Sequence, residues 1–251
     1  MAPVLLSSRP LSSALRTSLP TFTDVGRAAA ANRSYASRIT LGRTGRCSEQ
    51  PVLTICLFDN SGSVVGGNDP VGQRFLEAYL AITKVGNRCR CGKDLAAALH
   101  FDTPTSGDLE PTPITKTHHE DIQRSLAIPP DGAGVSLLGP SLQAARRLAQ
   151  DRRQTHRIIL VVLSDFLLFD DYLGDLIAFP GDVQAVVLTA SPPQQLIEAS
   201  SVTVTAVNHG SRPGAVARGI FTALTHTRPG AKPLPASDLI DLPTSSGNDA
   251  V

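Results

Sequence analysis

Asp59, Ser61 and Ser63 stand at alternate positions in Asp-Asn-Ser-Gly-Ser, directly after the apolar run Leu53 to Phe58. One carboxylate and two hydroxyls offer only hard oxygen donors. Such a set suits magnesium or manganese better than zinc, which favours nitrogen and sulfur. The run before them, Leu-Thr-Ile-Cys-Leu-Phe, is aliphatic and β-branched and stops at an Asn/Ser/Gly cluster. That pattern reads as a strand buried on both faces, with the polar residues at its C-terminal end. In open α/β sheets this end faces the ligand crevice.

The spacing Asp-x-Ser-x-Ser after a hydrophobic strand resembles the metal-ion-dependent adhesion site (MIDAS) of von Willebrand factor type A (vWA) domains, the family that includes the integrin inserted domains. The family pattern has two further parts, a Thr in a later loop just before a helix and an Asp closing another buried strand. Gly134-Val-Ser136-Leu-Leu-Gly139-Pro140 resembles the first, with Ser136 in the Thr position. Arg157-Ile-Ile-Leu-Val-Val-Leu-Ser164-Asp165 resembles the second, with Asp165 closing it. The three motifs stand in the family order, and the resemblance spans residues 48 to 228.

The resemblance implies a metal site of Asp59, Ser61, Ser63, Ser136 and Asp165. Magnesium takes about six oxygens at ~2.1 Å. Ser61 and Ser63 supply hydroxyls directly, while Asp59, Asp165 and Ser136 act directly or through water. One position then remains for an incoming group, and a carboxylate from a partner protein matches the ion's hardness and charge. Ser for Thr keeps the hydroxyl and removes the methyl that stiffens the rotamer. Phe166 stands where family members usually carry Gly, and the expected effect is on the loop rather than on the ligands.

The remaining elements follow from periodicity. Apolar residues from Phe75 to Val85 predict an amphipathic helix, with Asp69 as its cap before Pro70. Asp94 to Phe101 reads as a second strand, and Glu110 to Lys116 as an antiparallel edge strand whose prolines an edge tolerates. His118 opens a weak helix to Ala127; adjacent His118 and His119 point to different faces, against their sharing one metal. A helix follows at 138–153, the most hydrophobic strand at 157–163, then strand 183–189, helix 192–199, strand 202–207 and helix 213–227. This alternation predicts a Rossmann-like three-layer α/β vWA fold: a mostly parallel sheet of about six strands, one of them an antiparallel edge, with helices on both faces.

Around this domain, placed at 47–228, lie an Arg/Ser/Ala-rich N-terminal arm (1–46) and an aperiodic tail (229–251) expected to be disordered. The arm is expected to pack on the domain or on a partner, with helices near 10–17 and 23–32; its composition also resembles a mitochondrial transit peptide. Net charge is +1, so no global electrostatic case for nucleic acid exists. No stretch reaches the ~18 to 20 apolar residues of a membrane span. Four cysteines are too few for a disulfide framework. Cys56 belongs to the core, and Cys47, Cys89 and Cys91 converge on the lower face, where reduced thiols in a cytoplasmic protein are the expectation and a disulfide or thiolate metal site is the alternative.

No catalytic constellation competes with the metal reading, so the expectation is a non-enzymatic module. His100, His156, His209 and His226 are placed outside the upper loops, leaving only His118 and His119 open as a base for a serine nucleophile. The enzyme alternative is a metal-dependent phosphohydrolase with Asp59 as nucleophile, but Ser61 stands where its second acid belongs. The third reading is a metal-independent scaffold. Phe166, Leu167 and Phe169 form an apolar stretch beside Asp165, either tucked under a helix or open to a partner. Family resemblance adds an AAA+ ATPase of the MoxR type as a candidate partner within an intracellular assembly.

Overall fold

The computed structural model describes residues 35–65, 74–88, 92–132, 134–189, 191–208 and 210–234. Eight strands lie among them: β1 (Gly42–Arg43), β2 (Val52–Phe58), β3 (Leu95–His100), β4 (Leu109–Pro113), β5 (Arg157–Ser164), β6 (Asp182–Val187), β7 (Val202–Ala206) and β8 (Lys232–Pro233). The helices are α1 (Gly62–Val65), α2 (Arg74–Arg88), α3 (His119–Ser125), α4 (Leu138–Arg152), α5 (Leu173–Ile177), α6 (Gln194–Glu198) and α7 (Ala215–Thr225).

Six strands form one sheet in the order β4-β3-β2-β5-β6-β7, and only β4 runs antiparallel. The centre falls on β2 and β5 because their residues are almost all apolar. Every residue of β2 is buried, as are seven of eight in β5. Alternation sorts them: Cys56, Phe58, Ile159, Val161 and Leu163 face α2 and α7, whereas Leu53, Ile55, Leu57, Ile158, Leu160 and Val162 face α4 and α5. Parallel strands carry their C-termini to one edge, so the ends of β2, β3 and β5 meet there.

Residues 35–46 belong to the folded body rather than to a separate arm. Leu41 is buried, and β1 pairs with β8 through Gly42–Pro233 and Arg43–Lys232. Residues 229–234 of the expected tail are thus part of this pairing, and the end of the arm packs on the domain. Two-residue strands leave no periodicity to read, which is why they escaped. Tyr35 donates its hydroxyl to Oε1 of Glu77, a fully buried acid on α2. The same carboxylate accepts the N–H groups of Gly214 (2.8 Å) and Ala217 (3.0 Å), satisfying the start of α7. The arm helices near 10–17 and 23–32, Asp69 and Pro70, Cys89 and Cys91, and the tail beyond 234 lie outside the described residues.

At the opposite edge, Asp94 and Arg228 form a buried ion pair at 3.0 Å, and Asp94 also accepts the N–H of Val52 at 3.0 Å. Cys47 is disulfide-bonded, which corrects the expectation of reduced thiols. Cys56 is free and buried, as its place in the core strand demands. No described helix is long and apolar enough to cross a membrane.

Candidate metal centre

Asp59 follows the last residue of β2, and its own N–H donates to the carbonyl of Leu163 on β5 at 3.0 Å. The side chain is fully buried. Oδ1 accepts the N–H of Ser61 at 2.9 Å and Oδ2 accepts the hydroxyl of Ser164 at 2.6 Å. Each oxygen keeps a lone pair for a further donor or a cation. Burial pushes the carboxyl above its ordinary value; hydrogen bonds from Ser164 and Ser61 oppose the rise, and the charge of Asp165 adds to it.

Ser61 and Ser63 bring their hydroxyls within 3.0 Å of each other. Ser61 is buried and Ser63 is exposed, so this pair lines the path from the interior to the surface. Ser136 arrives from the loop before α4. Its carbonyl accepts the N–H of Phe169 at 3.0 Å, while its hydroxyl is buried with no hydrogen-bond partner. Gly134, in the left-handed region at φ 70°, lies against the carbonyl of Asn60, which brings this loop onto the Asp59–Ser63 turn. Asp165 is half-buried, and its Oδ1 accepts the N–H of Leu167 at 3.0 Å.

The five candidate donors, two carboxylates and three hydroxyls, are all oxygens of the kind a hard cation takes. Among the described residues no group of three or more His, Cys, Asp or Glu side chains stands ready to hold a metal ion. The orphaned hydroxyl of Ser136 fits an ion that would supply its missing partner. Burying a hydroxyl unpaired costs about 1–3 kcal/mol.

The apolar stretch after Asp165 divides. Phe166 turns inward, only 8% exposed and packed with the α4 and α5 side of the core. It is removed from direct partner contact, a correction to its expected role. The backbone reason is its φ of 59°, the left-handed geometry that a Gly would supply, which sends the ring beneath α4. Leu167 and Phe169 point outward, 66% and 85% exposed, while Leu168 and Tyr172 pack on the core. The Tyr172 ring lies against Gly139, where any Cβ would come within 2.5 Å of it. Asp170 accepts the N–H of Gly139 at 2.7 Å, tying the loop to the start of α4.

Sequence reasoning missed three residues. Ser164 orients Asp59, and its Oγ also accepts the N–H of Phe166 at 2.8 Å. Asp102 accepts the N–H groups of Gly134 (2.9 Å) and Val135 (3.2 Å). His100, placed away from the upper loops in the sequence reading, is at the site: its Nδ1 lies 2.6 Å from Nδ2 of Asn60. The strand register held that signal, because His100 pairs with Phe58, one residue before Asp59. His118 and His119 do diverge, toward Thr115 and Tyr79.

No protein-family model and no curated protein matches the sequence. Solved structures do match in fold. A von Willebrand factor type A protein from Catenulispora acidiphila superposes with a TM-score of 0.50 at 12% identity, over 75% of this chain and 49% of its own. Proximal thread matrix protein 1 from the mussel byssus, with a zinc-occupied MIDAS motif, gives 0.47 at 12% identity over 71% and 49%. The manganese-loaded Plasmodium vivax TRAP protein gives 0.44 at 8% identity over 75% and 78%. The chain spans about half the length of the first two. At such identities the likeness speaks of fold alone, and the first structure carries it. The chain has the α/β fold of a von Willebrand factor type A domain.

Proposed function

We propose that the chain is a divalent-cation-dependent protein-interaction module. Asp59, Ser61, Ser63, Ser136 and Asp165 hold magnesium, with manganese as an acceptable substitute, and the open coordination position takes an acidic residue from a partner protein. The observation that carries this reading is the buried hydroxyl of Ser136, which has no hydrogen-bond partner although its loop, at Gly134, lies against the carbonyl of Asn60 in the Asp59–Ser63 turn. Leu167 and Phe169 supply apolar contact next to the charged centre. The partner surface is therefore a carboxylate flanked by apolar side chains. The geometry gives no support to the phosphohydrolase alternative: Asp59 is fully buried with both oxygens held, whereas a nucleophile must reach phosphorus in line.

An AAA+ ATPase in an intracellular assembly remains the partner that family resemblance offers. The disulfide at Cys47 weighs against a reducing cytoplasm, where such bonds rarely persist.

Titration with Mn2+, followed by loss of the free-ion paramagnetic resonance signal, tests the site. Saturable binding of one ion, abolished in the Asp59→Ala, Ser61→Ala double variant, supports the reading; no binding by the wild type refutes it. Capture of partners in magnesium and in chelator, with Leu167→Ser, Phe169→Ser beside the wild type, tests the surface. Those exposed substitutions leave stability within ~0.5 kcal/mol. Equal capture in chelator would favour the metal-independent scaffold.

A further inference from the structure

Two loops must carry their hydroxyls to one point for the proposed cation site to form: the Asp59–Ser63 turn and the loop of Ser136. Neither reaches the other through a ligating atom. Both are held instead by the end of β3. His100 is the last residue of that strand and Asp102 lies two residues on, in the turn that follows.

His100 holds the first loop. Its ring is fully buried, with Nε2 3.0 Å from the carbonyl of Ser125 and Nδ1 2.6 Å from Nδ2 of Asn60. A carbonyl can only accept, so Nε2 carries the hydrogen. Nδ1 is then a lone pair, and it accepts from the amide of Asn60. Asn60 sits between the two candidate ligands Asp59 and Ser61, so holding its amide holds the turn that carries both.

Asp102 holds the second loop. Its two oxygens take the N–H groups of Gly134 and Val135, the two residues before Ser136. Consecutive N–H groups converge on one carboxylate because Gly134 adopts φ 70°, a geometry other residues avoid. The turn between is itself fixed by Asp108. That carboxylate accepts the N–H groups of His100 (3.1 Å) and Thr105 (2.9 Å) and the hydroxyl of Thr103.

We propose that His100 and Asp102 are positioning residues that set the cation affinity of the site, bracing the Asp59–Ser63 turn and the Ser136 loop against one another without touching the ion. The inference rests on the cation-binding reading above. It explains why the loops are anchored through Asn60 and through the backbone before Ser136, leaving the hydroxyl of Ser136 unclaimed. Metal–ligand distances tolerate only about 0.2 Å, and partners that orient ligands from behind typically govern affinity by 10–100-fold.

The test is Mn2+ titration of the full chain carrying Asp102→Asn, His100→Leu or His100→Asn, with melting temperature and circular dichroism in chelator as controls for folding. Asp102→Asn turns one acceptor into a donor facing an N–H, and the dissociation constant rises about 10–100-fold. His100→Leu does the same. His100→Asn keeps an acceptor near the place of Nδ1 and recovers most of the affinity. That rescue separates positioning from general destabilisation, which would leave both His100 variants equally weak. Should His100→Leu not fold, Asp102→Asn and His100→Asn decide. A wild type that binds no Mn2+ overturns the site reading and this inference together. A wild type that binds, with folded variants of unchanged affinity, overturns the positioning roles and leaves the site standing.

Discussion

The hydroxyl of Ser164 lies 2.6 Å from Oδ2 of Asp59, joining the ends of the two central strands, and the same oxygen accepts the N–H of Phe166 at 2.8 Å. One hydroxyl therefore both orients the buried acid and anchors the left-handed residue after Asp165. Ser164→Ala leaves a buried carboxylate oxygen and a backbone N–H unpaired, at a cost of about 1–3 kcal/mol. It also removes the strongest influence that opposes the upward shift of Asp59. A cation binds the ionised carboxylate, so the pH midpoint of Mn2+ binding moves upward in this variant. Titrations at a series of pH values check the direction, and an unchanged midpoint would contradict the assigned role.

His100 gives stability its own pH dependence. Burial lowers its folded pKa below the ordinary 6.5. The unfolded chain takes up the proton first as pH falls, so this contribution is present above 6.5 and is lost as pH drops through that value toward the folded pKa. Asp59 acts in the opposite sense: with its pKa raised, it favours folding below the ordinary 3.8, and that contribution is lost as pH rises through the folded value. Urea denaturation of wild type and His100→Asn in chelator isolates the histidine. The wild type loses more stability than the variant as pH falls below 6.5.

Phe166 sets backbone strain against packing. A left-handed conformation costs an L-residue roughly 1–2 kcal/mol, whereas removing a buried Phe ring costs about 3–5 kcal/mol. Packing wins. Phe166→Gly is expected to lower stability by about 1–4 kcal/mol, although Gly suits the φ of 59°. Guanidinium denaturation reads the difference, and a variant as stable as the wild type would mean that strain dominates.

The thiols should differ in reactivity. Burial pushes Cys56 up to about 12, so it resists alkylation in the folded chain. Cys47 is blocked by its disulfide. Iodoacetamide labels neither residue under native conditions, labels Cys56 on unfolding without reductant, and labels Cys47 only after reduction. Peptide mass spectrometry distinguishes the states; alkylation of Cys47 without reductant would refute the disulfide.

The central sheet was legible because β2 and β5 are long, continuous apolar runs, and the alternation between them and the helices leaves few topologies. The acid-and-hydroxyl edge was legible for the same reason, since strand ends locate the residues that follow them. What escaped were relationships between distant positions. Asp94 and Arg228 lie 134 residues apart, and neither residue's surroundings in sequence point to the other. Phe166 broke a local rule, because a bulky residue in the left-handed region is read from sequence as a different loop. His100 was misplaced by reading it as the interior of a strand instead of its upper end.

The pairing of β1 with β8 has a mechanical consequence. These strands run antiparallel, with Leu234 donating to the carbonyl of Leu41 at 3.2 Å, so the segments before β1 and after β8 start side by side. Tension applied between the two flanking segments loads those few hydrogen bonds one after another, as a zipper is opened. The buried Asp94–Arg228 pair ties the segment just before β8 to the residue just before β3. A pull across the flanks is thus met by the Tyr35–Glu77 hydrogen bond upstream of β1 and by the β1–β8 pairing, neither of which involves a residue of the acid-and-hydroxyl edge.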